Sequence, residues 1–216
     1  MSKHHDPMAM SLDLAQGQSD HSNDPSSDAL DKATLRKWAR AQRQQLSASI
    51  KPVYDSALAE GVDQYLKTQR PSCLALYWPL LGEPDVRSYW PQWLAQGWQL
   101  CLPYAQAGEA LRFRPWQTDC AMTIDACGIP TPATTNACVP DYLLMPCVAF
   151  GVQAGRYFRL GYGGGFYDRT LASLGNQAVT LGLAYECTRL SSLVVEPHDQ
   201  PMHYLLTEQD CFASTR

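Results

Sequence analysis

The residues best equipped for chemistry lie in one stretch, Arg159-Leu160-Gly161-Tyr162-Gly163-Gly164-Gly165-Phe166-Tyr167-Asp168-Arg169. A backbone this bare can take positive φ and approach a ligand closely. The residues that follow, Phe166 to Leu174, read as a helix closed by Gly175. A glycine loop feeding a helix N-terminus aims bare N–H groups and the positive end of a dipole at one spot, which suits phosphate. Arg159 and Arg169 add positive charge, and Asp168 offers magnesium a hard oxygen. The plainer reading is a tight strand-to-helix turn, although three consecutive glycines exceed what a turn needs. Two common nucleotide signatures are excluded. There is no glycine, four residues, then Gly-Lys-Ser or Gly-Lys-Thr, and Phe166 stands where the dinucleotide fingerprint needs its third glycine.

Other candidates are more scattered. Glu83, between Gly82 and Pro84, is either a surface acid or a carboxylate that grips a polar donor of a ligand. Asp199 lies in Glu196-Pro197-His198-Asp199-Gln200-Pro201, a proline-bounded loop that is either plain surface or a source of a second oxygen for magnesium. His198 in the same loop is either plain surface or an acid–base group. Lys32, Arg36, Arg40 and Arg43 recur at helical spacing and form one basic stripe, which reads as a solvated face or as a further phosphate contact. Trp78, Trp98, Trp116 and Tyr104 are core candidates, of which one or two could line a pocket for a flat ring. No Gly-x-Ser-x-Gly elbow supports a serine hydrolase.

These residues need elements to hold them. A helix is expected from about Ala29 to Leu46, with Leu35, Trp38, Ala39 and Leu46 as its apolar stripe. A second spans roughly Val53 to Gln69, burying Tyr54, Leu58, Val62, Tyr65 and Leu66. Cys73 to Trp78 reads as a buried strand ending in the loop that carries Glu83, and Val86 to Gln96 as a helix despite Pro91. Strands follow at Gln99–Leu102, Ala110–Trp116 and Tyr142–Met145. Cys127 to Pro140 reads as extended, and a loop runs from Pro146 to the glycine run. Beyond the glycine-loop helix come strands at Ala178–Ala184 and, last, His203–Thr207. Alternation of this kind gives an α/β fold with helices on both faces of the sheet, and ligands in such sheets sit outside the carboxyl ends of the strands. Both Glu83 and the glycine run would reach one rim.

The 216 residues suit one domain, residues 29–216, preceded by a polar, aperiodic tail at 1–28 that reads as disordered. His4, His5 and His21 in that tail could capture a metal adventitiously, without a physiological metal role. A net charge of −4 gives no reason to expect nucleic acid, and no apolar run approaches a membrane span. The eight cysteines, Cys73, Cys101, Cys120, Cys127, Cys138, Cys147, Cys187 and Cys211, show no C-x-x-C pair and no ligand spacing with histidine. They read as free thiols of a reducing compartment rather than as disulfides or a zinc site.

Taken together these pieces resemble the 5-formyltetrahydrofolate cyclo-ligase family. The stretch from Arg159 to Arg169 matches that family's signature almost residue for residue. Lys32-Ala-Thr-Leu-Arg36 is similar to its opening helix and Tyr77-Trp-Pro-Leu-Leu-Gly-Glu83 to its first strand and acidic loop. Leu102-Pro103, Met145-Pro146 and Glu196-Pro-His-Asp199 with Leu205-Leu-Thr207 follow in order, so the resemblance covers roughly residues 31 to 210.

The resemblance implies a three-layer α/β sandwich with a mostly parallel central sheet. It also implies an enzyme that uses ATP to convert 5-formyltetrahydrofolate to 5,10-methenyltetrahydrofolate, with Mg2+ as cofactor. Lys32, Arg36 and the residues Arg159, Leu160, Gly161, Tyr162, Gly163, Gly164, Gly165, Phe166 and Tyr167 would bind ATP. Trp78 and Glu83, with Tyr162, Gly163, Gly164, Gly165 and Phe166, would bind the reduced folate, and Asp168 and Asp199 the metal. No residue is assigned as acid, base or nucleophile. A cytoplasmic monomer is expected, with neither nucleic acid nor membrane as partner. Three features depart from the pattern: Gly151 stands where an aspartate is common, the segment 151–158 is longer than usual, and Phe166 replaces a frequent tyrosine. Two other classes remain: an ATP-dependent kinase or ligase acting on another acceptor, and a non-catalytic folate- or nucleotide-binding protein.

Overall fold

The computed structural model describes residues 31–80 and 82–215. The tail expected to be disordered, residues 1–28, lies outside the described residues. Helix α1 (Lys32–Gln45) starts where Asp31 accepts a hydrogen bond from the Thr34 N–H at 2.8 Å, satisfying one of the free donors of its first turn. Helix α2 (Ile50–Lys67) follows, then strand β1 (Cys73–Ala75). A 3-10 turn at Arg87–Tyr89 leads into the short α3 (Trp90–Ala95). The single helix expected over 86–96 is therefore split, with Pro91 placed in the first turn of α3, where its missing N–H costs nothing.

Strands β2 (Gln99–Tyr104), β3 (Arg112–Pro115), β4 (Met122–Ile124), β5 (Pro130–Pro132) and β6 (Tyr142–Pro146) come next. Then β7 (Ala149–Gln153) and β8 (Arg156–Leu160) form a hairpin, followed by α4 (Phe166–Leu174), β9 (Val179–Leu183), β10 (Tyr204–Leu206) and β11 (Cys211–Ala213).

The central sheet has seven strands in the order β11-β10-β9-β6-β1-β2-β3. The inner five run parallel, and β3 and β11 close the edges antiparallel. Period-two alternation sorts the strand residues onto two faces. Leu74, Leu100, Leu102, Leu144, Leu181, Leu183 and Leu206 pack with Leu58, Val62 and Leu66 of α2 and with Trp90 and Trp93 of α3. On the other face Ala75, Cys101, Phe113, Leu143, Met145 and Leu205 pack with Leu171 of α4. Helices on both faces of a mostly parallel sheet make the three-layer α/β arrangement. Helix α1 belongs to a third cluster, where Leu35 and Ala39 pack on Val148, Ala149, Phe158 and Leu160 of the hairpin segment.

Three expectations need correction. The strand expected over 73–78 pairs only as far as Ala75, because beyond it the chain keeps a single ladder bond, from the Leu76 N–H to the Cys101 carbonyl at 2.9 Å. The segment from Pro146 to the glycine run is not a loop but the β7–β8 hairpin, turned at Ala154 (φ 51°) and Gly155 (φ 73°), a pair of positive φ values that matches strand twist. Lastly, β10 is not the final strand, since β11 pairs beside it.

Candidate active site

Beyond β1 and β6 the chain leaves in opposite directions across the sheet, so their loops open a crevice at the carboxyl rim. A cavity of about 560 Å³ occupies this rim. Its walls include Trp78 and Glu83 after β1, Pro103 and Ala105 at the end of β2, Pro146 at the end of β6 and the whole glycine run. Lys32, Arg36, Asp168 and Asp199 also line it, so the fold gathers every residue singled out for ATP, folate and metal into one cavity.

The glycine run is held from one side by α1. Arg36 Nε donates to the Gly161 carbonyl at 2.7 Å, and Arg40 lies over the Tyr162 ring with its guanidinium carbon 5.2 Å from the centroid. Gly163 (φ 94°) and Gly165 (φ 65°) take left-handed conformations that turn the chain into α4. At Gly163 a Cβ would stand 3.3 Å from the Arg36 guanidinium, so the missing side chain is also what lets α1 come this close. Gly165 is the N-cap of α4 and provides no side-chain cap, which leaves the N–H groups of the first turn directed at the cavity. Asp168 sits in that first turn, where a negative charge complements the helix dipole, and it pairs with Arg159 at 2.8 Å.

The basic stripe is therefore neither a free solvated face nor, along its whole length, a phosphate contact. Arg43 at its far end is 5 % exposed, and its NH2 donates to the Tyr162 hydroxyl at 3.1 Å. The Tyr162 hydroxyl donates in turn to Glu83 Oε1 at 2.6 Å, while the Leu80 N–H donates to Glu83 Oε2 at 2.7 Å. Glu83 is 1 % exposed, so the surface-acid reading does not hold. Burial raises its pKa above the ordinary carboxylate value, opposed by the Tyr162 hydroxyl, the Leu80 N–H and the nearby charge of Arg43. Burial and the Glu83 charge likewise push the Tyr162 hydroxyl up to about 12, so this tyrosine stays a donor at neutral pH. Arg43 was not singled out as a site residue by its sequence context. Its spacing in the stripe was visible, but its partner lies 119 residues away. Among the described residues, the Nε and NH1 groups of Arg43 are buried without a hydrogen-bond partner, as is Nε of Arg159.

At the opposite mouth Lys32 Nζ bridges Glu196 Oε2 at 2.5 Å and Asp199 Oδ2 at 2.7 Å. Asp199 also accepts the Glu196 N–H at 2.8 Å, which closes the proline-bounded loop on itself. Burial acts to raise the Asp199 pKa, but the Glu196 N–H and Lys32 outweigh it and lower it overall. His198 is largely exposed, with Nε2 3.7 Å from Glu196 and 3.8 Å from Asp199.

The two carboxylates assigned to magnesium are thus each neutralised by a cation, Arg159 on Oδ1 of Asp168 and Lys32 on Oδ2 of Asp199. Each aspartate has a second carboxylate oxygen, and both line the same cavity, so the donor set suits a hard cation that takes one or two carboxylates.

Among the aromatic candidates, Trp98 is core, Trp78 lines the cavity edge-on to Trp90 with Arg87 stacked over it at 4.9 Å, and Arg114 covers Tyr104 at 3.7 Å. Gly151 lies on β7, where a Cβ would fall 2.8 Å from Leu193 Cβ, so the aspartate common at that point of the pattern would not fit here.

Comparison with known proteins places this architecture. The chain is 27% identical to the 5-formyltetrahydrofolate cyclo-ligase of Haemophilus influenzae over 183 residues, covering 79% of this chain and 96% of that one. Its fold matches the 5,10-methenyltetrahydrofolate synthetase of Aquifex aeolicus with a TM-score of 0.70 at 26% identity, over 84% of this chain and 92% of that one. It matches the 5,10-methenyltetrahydrofolate synthetase of Mycoplasma pneumoniae with a TM-score of 0.67 at 23% identity, over 83% and 99%. The sequence model of the 5-formyltetrahydrofolate cyclo-ligase family matches residues 28–208, the span that builds the cavity and all of the sheet but β11, and the chain belongs to that family.

Proposed function

We propose that this protein uses ATP to close 5-formyltetrahydrofolate to 5,10-methenyltetrahydrofolate, releasing ADP and phosphate. The observation that carries the proposal is the convergence of the glycine run, Glu83 and Trp78 on one cavity in a member of this family. The γ-phosphoryl group passes to the formyl oxygen, nitrogen-10 attacks the activated carbon, and phosphate leaves. Such chemistry asks the protein for positioning and charge neutralisation rather than for a nucleophile.

The chain's residues divide these tasks. Backbone N–H groups of Gly163–Phe166 and the first turn of α4 receive phosphate oxygens, with Arg159 and Lys32 supplying positive charge. Arg36 acts on ATP mainly by holding the Gly161 carbonyl and hence the loop. Glu83 accepts hydrogen bonds from the polar edge of the folate, and Trp78 and Phe166 flank its flat ring. The Tyr162 hydroxyl keeps Glu83 aimed. Asp168 and Asp199 would hold Mg2+, which when bound offsets the negative charge of the phosphates. Arg159 pairs with Asp168 and Lys32 with Asp199 at these carboxylates. A cytoplasmic monomer is the form proposed. Among the described residues no helix is long and apolar enough to cross a membrane.

The test is stoichiometry. With Mg2+, ATP and 5-formyltetrahydrofolate, ADP should form one for one with methenyl product. ADP formation with another acceptor but not with this folate would favour the kinase reading, and tight folate binding without turnover would favour a binding protein.

A further inference from the structure

The fold brings together three cysteines that the sequence spreads over 66 positions, Cys73, Cys101 and Cys138. Cys73 opens β1 and Cys101 lies on the neighbouring β2, both on the face that carries α4. Cys138 joins them by bridging to Phe113 of β3, with its N–H on the Phe113 carbonyl at 3.0 Å. The Cys73 and Cys101 sulfurs are 3.7 Å apart, and all three sulfurs lie within 4.8 Å of one another. An ion about 2.3 Å from each of two sulfurs, with bond angles between about 90° and 120°, spans a sulfur–sulfur gap of roughly 3.3 to 4 Å. The observed pair already has that spacing. Cys101 is fully buried and Cys73 nearly so, while Cys138 lines a surface groove of about 230 Å³ between β3 and α4, which provides an entry path. Cys73 starts its strand, so the cluster sits toward the amino ends of the parallel strands, away from the cavity at their carboxyl ends.

Ligand number and charge select the class of ion. Among the described residues no histidine or carboxylate joins the three sulfurs, whereas structural zinc takes four ligands. The groups acting most strongly on these thiols are one another, burial and the negative Asp141, with no cation among them. Three thiolates around copper(I) would leave a net charge of about −2 in apolar surroundings, which is costly without a counter-ion. A trivalent thiophilic hydroxide avoids that cost.

We propose that Cys73, Cys101 and Cys138 form a three-sulfur site for a trivalent ion of the arsenite class, loaded through the groove at Cys138. Three As–O bonds break and three As–S bonds form. Each thiol proton leaves with a hydroxide as water, arsenic stays trivalent, and a neutral reactant gives a neutral buried product. Cys138 is the member that lines the groove, with its thiol on the Phe113 carbonyl at 3.5 Å, so it is the sulfur that an incoming ion meets first.

The test uses the full chain, reduced with a phosphine rather than a thiol and titrated with sodium arsenite. One arsenic should bind per chain, and X-ray absorption at the arsenic edge should show three sulfur neighbours and no oxygen. Cys138→Ser, which alters the partly exposed member rather than the core, should weaken binding about a hundredfold or more, while Cys120→Ser should leave it unchanged. Two sulfurs with a remaining oxygen, unchanged affinity in Cys138→Ser, or no binding to the folded wild type would each overturn the assignment. The readout is independent of folate turnover, so failure here would leave the proposed activity standing.

Discussion

Glu83 owes its properties to what surrounds a single carboxyl group. Burial raises its pKa, while the Tyr162 hydroxyl, the Leu80 N–H and the Arg43 charge restrain the rise. If the ionised form grips the folate, kcat/KM should fall as pH drops through that raised value, with the acidic limb above the ordinary carboxylate range. Arg43→Met removes a favourable charge and should move the limb upward by about one pH unit, or ~1.4 kcal/mol. Arg43→Lys should hold it near the wild-type position, and Glu83→Gln should flatten it with much lower turnover. A limb that ignores all three changes would show that Glu83 does not titrate in the reaction. Asp168 and Asp199 make a second test at this scale. Asparagine at either position keeps the shape and removes a charge, and ATP turnover should drop roughly a hundredfold. The Lys32–Asp199 pair is partly exposed and its loss costs little stability, whereas the Arg159 side chain is 5 % exposed, so Asp168→Asn should also lower Tm. Wild-type turnover and magnesium dependence in both variants would reduce Asp168 to a first-turn acid that complements its helix dipole.

At the scale of elements, the glycine loop works because α1 and α4 clamp it. Gly163→Ala places a side chain at φ 94° and 3.3 Å from the Arg36 guanidinium. The strain is about 1–2 kcal/mol, and KM for ATP should rise about tenfold, in line with ~1.4 kcal/mol. Gly97→Ala is the control, since Gly97 has the same φ of 94° but turns the chain after α3, outside the cavity lining. It should lower Tm and leave KM alone. Equal KM values for the two variants would mean that the loop's conformation does not matter to ATP.

The same elements show what the sequence made legible. Helix α4 and its bracketing glycines were readable because every signal is local. The β7–β8 hairpin was not, since its turn uses Ala154 at positive φ and Gly151 interrupts the strand pattern. Strand β11 has three residues and exists only through pairing with β10. The stripe on α1 could be seen as a face, but nothing local could reveal that Arg36 would find Gly161, 125 residues on, or that Arg43 would be buried beside Tyr162. Of the candidate site, the resemblance pointed to residues that the fold gathers in one cavity, and the fold added Arg43 together with the pairing of each metal-assigned aspartate to a cation.

At the scale of the molecule, one sheet rim collects loops from both halves of the chain, and the family match begins only at residue 28. Deleting the polar tail, residues 1–28, should leave turnover nearly unchanged, measured on a truncated protein whose Tm confirms folding. A large loss of activity would bring that segment into the site. The central claim is that this rim closes a folate ring with ATP. It is tested most directly by following the near-ultraviolet absorbance of the methenyl product with purified protein, 5-formyltetrahydrofolate, ATP and Mg2+. Absorbance should rise only when all of these components are present, and the rise should match the ADP formed. Folded protein at high concentration that yields ADP without methenyl product, or neither, would contradict it.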